Sequence, residues 1–294
     1  MSPQPMALGL HRFFSTHFTG FPLPNIFSWR TTLSPWSPQP VDGPPPAWLA
    51  MIEGRAFIEA STIPLALPWL LQRVPRGDGH AVLVMPGLMA SDASTRPLRQ
   101  FLKRLGYQAR GWGQGRNLGP RPGVQEGLCE RLHQMHRDSG GKVSLIGWSL
   151  GGLFARELAR QEPEMTRQVM SLGSPLYGTP GADSNPLVWQ IYKQFNETRP
   201  EHIKAFRGDC APPVPTTSIY SRGDSVVAWA ASVEHDSDAT DNIEINSASH
   251  LGLGFNPLVW YAVGDRLAQA EDNWQKFDPP PPERWLFPRR LPSR

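Results

Sequence analysis

The segment Gly147-Trp-Ser149-Leu-Gly151-Gly152 has the residue types and spacing for nucleophilic chemistry. It follows an apolar run, Val143-Ser-Leu-Ile146, and opens a stretch with helical patterning from Leu150 to Arg160. A sharp strand-to-helix turn strains its central residue, so the residues two positions away must be very small. Gly147 and Gly151 meet that need, and Gly152 lets the new helix lie close to the sheet. Such a turn lifts Ser149 Oγ above the sheet and places helix N–H dipoles near a developing oxyanion. The plainer reading of the same residues is a Gly-rich strand–helix turn with a capping serine.

A serine hydroxyl needs a base, oriented in turn by an acid. Downstream, Thr217-Ser-Ile-Tyr-Ser221 reads as a strand, followed by Arg222-Gly223-Asp224. A carboxylate just past a strand and beside a glycine can point across the sheet top, so Asp224 is the expected acid. Asp236, Asp238 and Asp241 compete, but they fall in an acidic loop with no strand directly before them, where solvation is the expected role. The strand candidate Ile243-Glu-Ile-Asn246 runs into Ser247-Ala-Ser249-His250. Of the 8 histidines, His250 completes the order Ser, Asp, His and is the expected base. His80, His133, His136 and His202 do not follow a strand with suitable order. His11 and His17 lie in the N-terminal segment, and His235 shares the acidic loop with Asp236.

Acyl transfer also requires donors for a tetrahedral oxyanion. The backbone N–H of Leu150 is the first expected donor. The second falls in the loop after an early strand, Met85-Pro-Gly-Leu88-Met89, with Leu88 preferred and Met89 in reserve. Trp148, Met85, Met89 and Trp189 could furnish an apolar substrate wall, although core packing accounts for these side chains equally well.

The elements that must position these groups alternate. Strand readings at Ala81–Val84, Tyr107–Trp112, Val143–Ile146, Gln168–Leu172, Thr217–Ser221 and Ile243–Asn246 are separated by helical ones. The helical readings include an amphipathic stretch capped near Ser91 or Asp92, then Val124–Arg137, Leu150–Arg160 and Pro257–Gln269. That alternation predicts an α/β fold, a mostly parallel sheet covered on both faces, with catalytic groups at the carboxyl ends of the strands.

In this order the segments resemble the α/β-hydrolase family and, within it, lipase- and esterase-like members. The resemblance is carried by Val82-Leu-Val-Met-Pro-Gly-Leu88, Ile146-Gly-Trp-Ser-Leu-Gly-Gly152, Ser171-Leu-Gly-Ser-Pro175, Ile219-Tyr-Ser-Arg-Gly-Asp224 and Ser249-His250. It covers roughly residues 80 to 270. It implies a Ser149–His250–Asp224 triad, an oxyanion hole from Leu88 and Leu150, ester hydrolysis through an acyl-enzyme and no cofactor. Many lipases carry His-Gly where this chain has Pro86-Gly87. Acyl transfer to another acceptor and thioester cleavage use the same machinery and stay open. A silent scaffold recruiting partners through Pro-rich arms at 34–46 and 278–292 is a further alternative.

The expected organisation is a Pro/Trp-rich segment over 1–75 that packs on the body, a catalytic domain over 76–275 and a Pro/Arg-rich tail over 276–294. Within the domain, a lid insertion is expected at about 177–213, with Leu187–Tyr192 as a short apolar helix. The 32 prolines among 294 residues lie heavily in the outer segments. The segment from Trp48 to Leu71, with Glu53, Arg55 and Glu59 at intervals, reads as one or two amphipathic helices on the body or, alternatively, a peripheral membrane contact. Trp29, Trp36 and Trp48 need cover.

Composition excludes other classes. The net charge of +3 sits mostly in the tail, and no extended basic stripe suits a phosphate backbone, so nucleic acid is not an expected partner. Arg96, Arg99, Lys103 and Arg104 oppose an apolar helical stripe and read as a solvated face. The expected partner is a small ester or lipid. Two cysteines, Cys129 and Cys210, are too few for a disulfide framework or structural zinc, which sets a reducing, cytoplasmic compartment as the default. Oligomeric state is not legible.

Overall fold

A computed structural model of the chain describes residues 43–45, 53–177, 181, 183–196, 210–246 and 248–288, all within one compact unit. The expectations for Trp29, Trp36, Trp48 and most of the Pro-rich run at 34–46 lie outside these residues. So do those for 197–209 of the insertion and for the tail from 289.

The central sheet has six strands: β1 (Ala81–Met85), β2 (Gln108–Gly111), β3 (Val143–Trp148), β4 (Thr166–Leu172), β5 (Thr216–Tyr220) and β6 (Thr240–Glu244). Their spatial order is β2-β1-β3-β4-β5-β6, and every pairing is parallel. Every residue of β1, β3 and β5 is buried, as strands covered on both faces require. The chain first builds outward from β1 to β2, then crosses to the other side of β1 with β3. That reversal opens a crevice at the carboxyl ends of β1 and β3, the usual place for a ligand in such sheets.

Strand alternation divides the core. Val82, Val84, Ile146 and Trp148 face helices α1 (Arg55–Arg73), α2 (Asp92–Leu105) and α6 (Pro257–Leu267). Leu83, Met85, Val143 and Leu145 face helices α3 (Val124–Ser139) and α4 (Leu150–Gln161). Helix α2 buries Leu98, Phe101, Leu102 and Leu105 and ends at Gly106, whose φ of 107° supplies the left-handed C-terminal turn. Its cationic side, Arg96, Lys103 and Arg104, is exposed. Neither expected cap makes a side-chain bond at its amino end. The Asp92 carboxylate instead accepts from the amides of Trp112 at 2.9 Å and Gly113 at 3.1 Å, fixing the exit of β2.

Helix α1 is a single helix that continues through Pro64 and Pro68. Each proline deletes an intrahelical hydrogen bond. The helix persists because Ile63, Leu67, Trp69 and Leu70 pack into the core beside α6, with Trp69 stacked on Tyr261 at 5.5 Å. Among the described residues no helix is long and apolar enough to cross a membrane.

Two sequence expectations are corrected here. The last strand begins at Thr240, three residues earlier than its apolar pattern indicated. Asp241 therefore lies within that strand, 4% exposed, where it accepts the Phe277 amide at 2.5 Å and stands 3.9 Å from Arg266. It is a structural group, not a solvated one. The described part of the Pro-rich tail also packs on the body: Phe277 is buried, Phe287 lies against it at 4.8 Å, and Glu283 pairs with Arg73 at 3.4 Å.

The insertion contributes a described helix, α5 (Pro186–Phe195), capped by the Asn185 side chain on the Leu187 amide. Both ends of the insertion are tied to Arg156 of α4. This fully buried guanidinium pairs with Glu234 and donates to Tyr177 Oη at 3.2 Å and to the Cys210 carbonyl at 3.1 Å. Burial lowers Arg156 to about 10, which leaves it charged at neutral pH.

Candidate active site

Ser149 occupies the turn between β3 and α4 with φ 54° and ψ −121°. A positive φ is costly for a residue with a Cβ, by about 1–3 kcal/mol, and surrounding contacts must hold it. The Ser149 amide donates to the Leu172 carbonyl at 2.8 Å, and its own carbonyl accepts from Gly152 at 3.0 Å. Glycines make the turn passable. A Cβ on Gly147 would collide with the Gly151 backbone, and one on Gly151 would lie 2.5 Å from the Met85 carbonyl oxygen. Gly152 similarly abuts Ser174.

The loops after β5 and β6 bring the other two predicted groups to this serine. His250 Nε2 is 2.9 Å from Ser149 Oγ, and His250 Nδ1 is 2.7 Å from Asp224 Oδ2. The second oxygen of Asp224 accepts from the amides of Val226 and Val227, each at 2.8 Å. These bonds hold the carboxylate in place, and Asp224 and His250 are only 3% and 4% exposed. With the ring proton on Nδ1, the imidazole donates to Asp224 and its Nε2 can accept from the serine. Burial opposes charging of His250. The charge and hydrogen bond of Asp224, followed by the charge of Glu53, outweigh burial and raise its pKa above the usual 6.5.

Gly173, at the end of β4, makes the Asp–His contact possible. With φ 54°, it leaves space where a Cβ would stand 2.9 Å from Asp224 Oδ2 and 3.3 Å from His250 Nδ1. Only its place in the Ser171–Pro175 segment hinted at this in the sequence.

The loop after β1 lies against the serine. A Cβ on Gly87 would be 3.2 Å from that of Ser149. Asn117, fully buried, holds the loop: its side chain donates to the Pro86 carbonyl at 2.7 Å and its amide to Ala90 at 2.8 Å. Its carbonyl accepts from the Met89 amide at 2.7 Å. That bond occupies the reserve oxyanion donor and leaves Leu88 as the better candidate. Asn117 itself carried no recognisable sequence signal, since it sits in an irregular loop far from the strand it serves.

Leu88 and Leu150 join Ser149 in lining an open cavity of about 560 Å³. Helix α5 contributes Val188, Trp189 and Tyr192, and the loop after Asp224 adds Val226 and Val227. Trp189 and Tyr192 stack at 5.4 Å, forming a rigid aromatic face. Three of the four expected wall residues are elsewhere. Trp148 points to the opposite face of the sheet, as strand alternation dictates. There its indole N–H donates to the His250 carbonyl at 3.2 Å and its ring meets Phe255 edge-on. Met89 is 39% exposed and outside the cavity lining, its backbone left-handed at φ 62°. Met85 is wholly buried in the core.

No family profile matches the chain. Serine hydrolase BPHL of Mus musculus is 30% identical over 117 residues, which cover 37% of this chain and 40% of the mouse protein. Among solved structures, Aspergillus fumigatus lipase B superposes with a TM-score of 0.51 at 21% identity, over 65% of this chain and 52% of the lipase. Bacillus licheniformis lipase BlEst2 gives 0.49 at 16% identity, over 66% and 94%. The matched region thus spans about half or less of the mouse and fungal proteins. Together with the six-stranded parallel sheet, the turn at its third strand and the strand order, the superposition on the fungal lipase identifies the fold: this chain has the α/β-hydrolase fold.

Proposed function

We propose that the chain is a serine hydrolase that cleaves carboxylic esters with an apolar acyl group, in the manner of esterases and lipases. The relay from Ser149 Oγ through the His250 ring to Asp224, opening on an apolar cavity, carries this reading. Neutral His250 takes the serine proton on Nε2 as Oγ attacks the ester carbonyl carbon. The imidazolium so formed is stabilised by the Asp224 carboxylate through Nδ1–H. The Leu88 and Leu150 amides receive the negative charge that develops on the carbonyl oxygen. His250 returns the proton to the departing alkoxide and leaves an acyl group on Ser149. A water molecule, deprotonated by the same ring, then attacks that acyl group and releases the acid and the free serine.

The Trp189–Tyr192 face and the two valines after Asp224 suit a hydrocarbon chain and offer few partners to a charged one. The similar proteins named above, the mouse serine hydrolase and the fungal lipase, agree with this reading. The test is labelling by a fluorophosphonate probe, followed by hydrolysis of p-nitrophenyl esters of rising acyl length. Labelling of the native protein but not of Ser149→Ala is expected. Equal labelling of the two would remove the assignment.

A further inference from the structure

The chain segment ahead of β1 reaches directly into the two loops that carry Asp224 and His250. Glu53 Oε1 accepts from Ser225 Oγ at 2.6 Å and from the His250 amide at 3.0 Å, while Oε2 accepts from the Leu251 amide at 3.1 Å. One carboxylate therefore bridges the acid loop and the base loop. Its neighbours consolidate the arrangement. Glu59 accepts from Ser249, through its amide at 2.9 Å and its hydroxyl at 2.8 Å, and from Asn256 at 3.1 Å. Arg55 donates to the Gly223 carbonyl at 2.7 Å.

We propose that Glu53 is a positioning residue for the relay: it locks the Asp224 and His250 loops in register and places a second negative charge beside the imidazole. This deepens the hydrolase reading and rests on it. The charges around the ring are few. Asp224 faces it from the β5 loop and Glu53 from the turn just ahead of α1. Arg55 and Glu59 of α1 stand 3.9 Å apart and largely offset one another. Glu53 thus adds a net field that favours the imidazolium, in the same sense as the raised His250 pKa. A carboxylate serving only as a loop tie would do its work through hydrogen-bond acceptance alone, and an amide in its place would leave the ring's titration unmoved.

The experiment compares the full-length protein with Glu53→Gln and Glu53→Ala, reading two quantities. The first is the pH dependence of fluorophosphonate labelling. The second is the titration of the His250 ring by NMR in a Ser149→Ala background, which needs no reactive serine. In Glu53→Gln, the ring pKa and the acidic limb of labelling should both fall by roughly half a unit or more, because a charge favouring the protonated ring is gone. Its plateau rate should stay within about threefold, since the amide oxygen still accepts from the loop. In Glu53→Ala, the plateau should fall by roughly ten- to a hundredfold through misalignment. A ring pKa unchanged in Glu53→Gln overturns the electrostatic role, and this variant decides the matter even where Glu53→Ala fails to fold. A plateau unchanged in a folded Glu53→Ala overturns the positioning role. A native protein that resists labelling, together with a ring pKa that still drops in Glu53→Gln, supports the charge coupling and sinks the hydrolase reading alone.

Discussion

Among the described residues stand two constellations of serine, histidine and aspartate, at opposite ends of the same strands. At the carboxyl end stand Ser149, His250 and Asp224. At the amino end, His80 Nε2 lies 2.8 Å from Ser144 Oγ and its Nδ1 lies 2.5 Å from Asp78 Oδ1. By contact distances alone the two are alike. Their surroundings are not. Ser144 sits inside β3 in regular strand pairing with Val82 and is fully buried. Ser149 is thrust out by a left-handed turn at the wall of a cavity. The charge balance is also reversed. Arg167 pairs with Asp78 at 2.6 Å and approaches His80 Nδ1 at 3.1 Å. Burial, together with that cation, lowers the His80 pKa against the pull of Asp78. At His250 two carboxylates prevail over burial and raise it. A relay becomes a site when its hydroxyl meets a cavity and its imidazole is free to become charged. The amino-end set is a staple joining β1, β3 and β4, and Arg167 extends it to the Gln269 carbonyl at 2.6 Å.

This contrast can be broken by mutation. Ser149→Ala or His250→Ala should cut ester hydrolysis by roughly 10³–10⁶-fold, while Ser144→Ala should leave the rate within about twofold. Comparable losses in the two serine variants, measured as kcat/KM on one ester, would erase the distinction. Gly173→Ala should follow, with an activity loss of about ten- to a hundredfold, because its methyl group would wedge against the Asp224–His250 contact. Near-native kcat there would mean the loops yield easily.

The pH predictions are smaller and opposite in sign for the two rings. The proposed reaction uses His250 in its neutral form, so its raised pKa is expected to place the loss of activity, on acidification, above the ordinary imidazole value of 6.5. For stability, the raised His250 contributes fully below 6.5 and loses its contribution as pH rises through its folded pKa. His80 contributes above 6.5 and loses its contribution as pH falls through its own lowered value. His80→Gln should therefore leave the pH–rate profile in place while removing part of the fall in melting temperature on mild acidification. A shifted rate profile in that variant would show that the two ends of the sheet communicate. The smallest effect is expected at Met89→Ala, within about twofold in kcat/KM, since that side chain stands outside the cavity.

Most of the sheet was legible because β1, β3 and β4 contain short apolar runs flanked by turn residues, and the elbow because steric crowding forces glycine at 147 and 151. Asp224 and His250 were legible through chain order. What escaped has a common cause. Glu53 and Glu59 read as the polar stripe of an amphipathic helix, and nothing local reveals partners about 190 residues away. Asn117 is likewise silent in an irregular loop. Trp148 was placed on the wrong side because adjacency to a nucleophile in sequence becomes opposition across a sheet. The β6 boundary was missed since Thr240, Asp241 and Asn242 lack apolar character, and tertiary pairing with β5 overrode the low strand propensity of Asp241 and Asn242.

Arg156 has a consequence of its own. One interior guanidinium fastens Tyr177 and Cys210 to the helix that begins beside Ser149, so these two posts of the insertion are anchored from within the core. Substitutions on α5 are expected to reshape the Trp189–Tyr192 face of the cavity while Ser149 keeps its seat. Under the proposed reading, substrate preference is thereby separable from the relay that performs the chemistry.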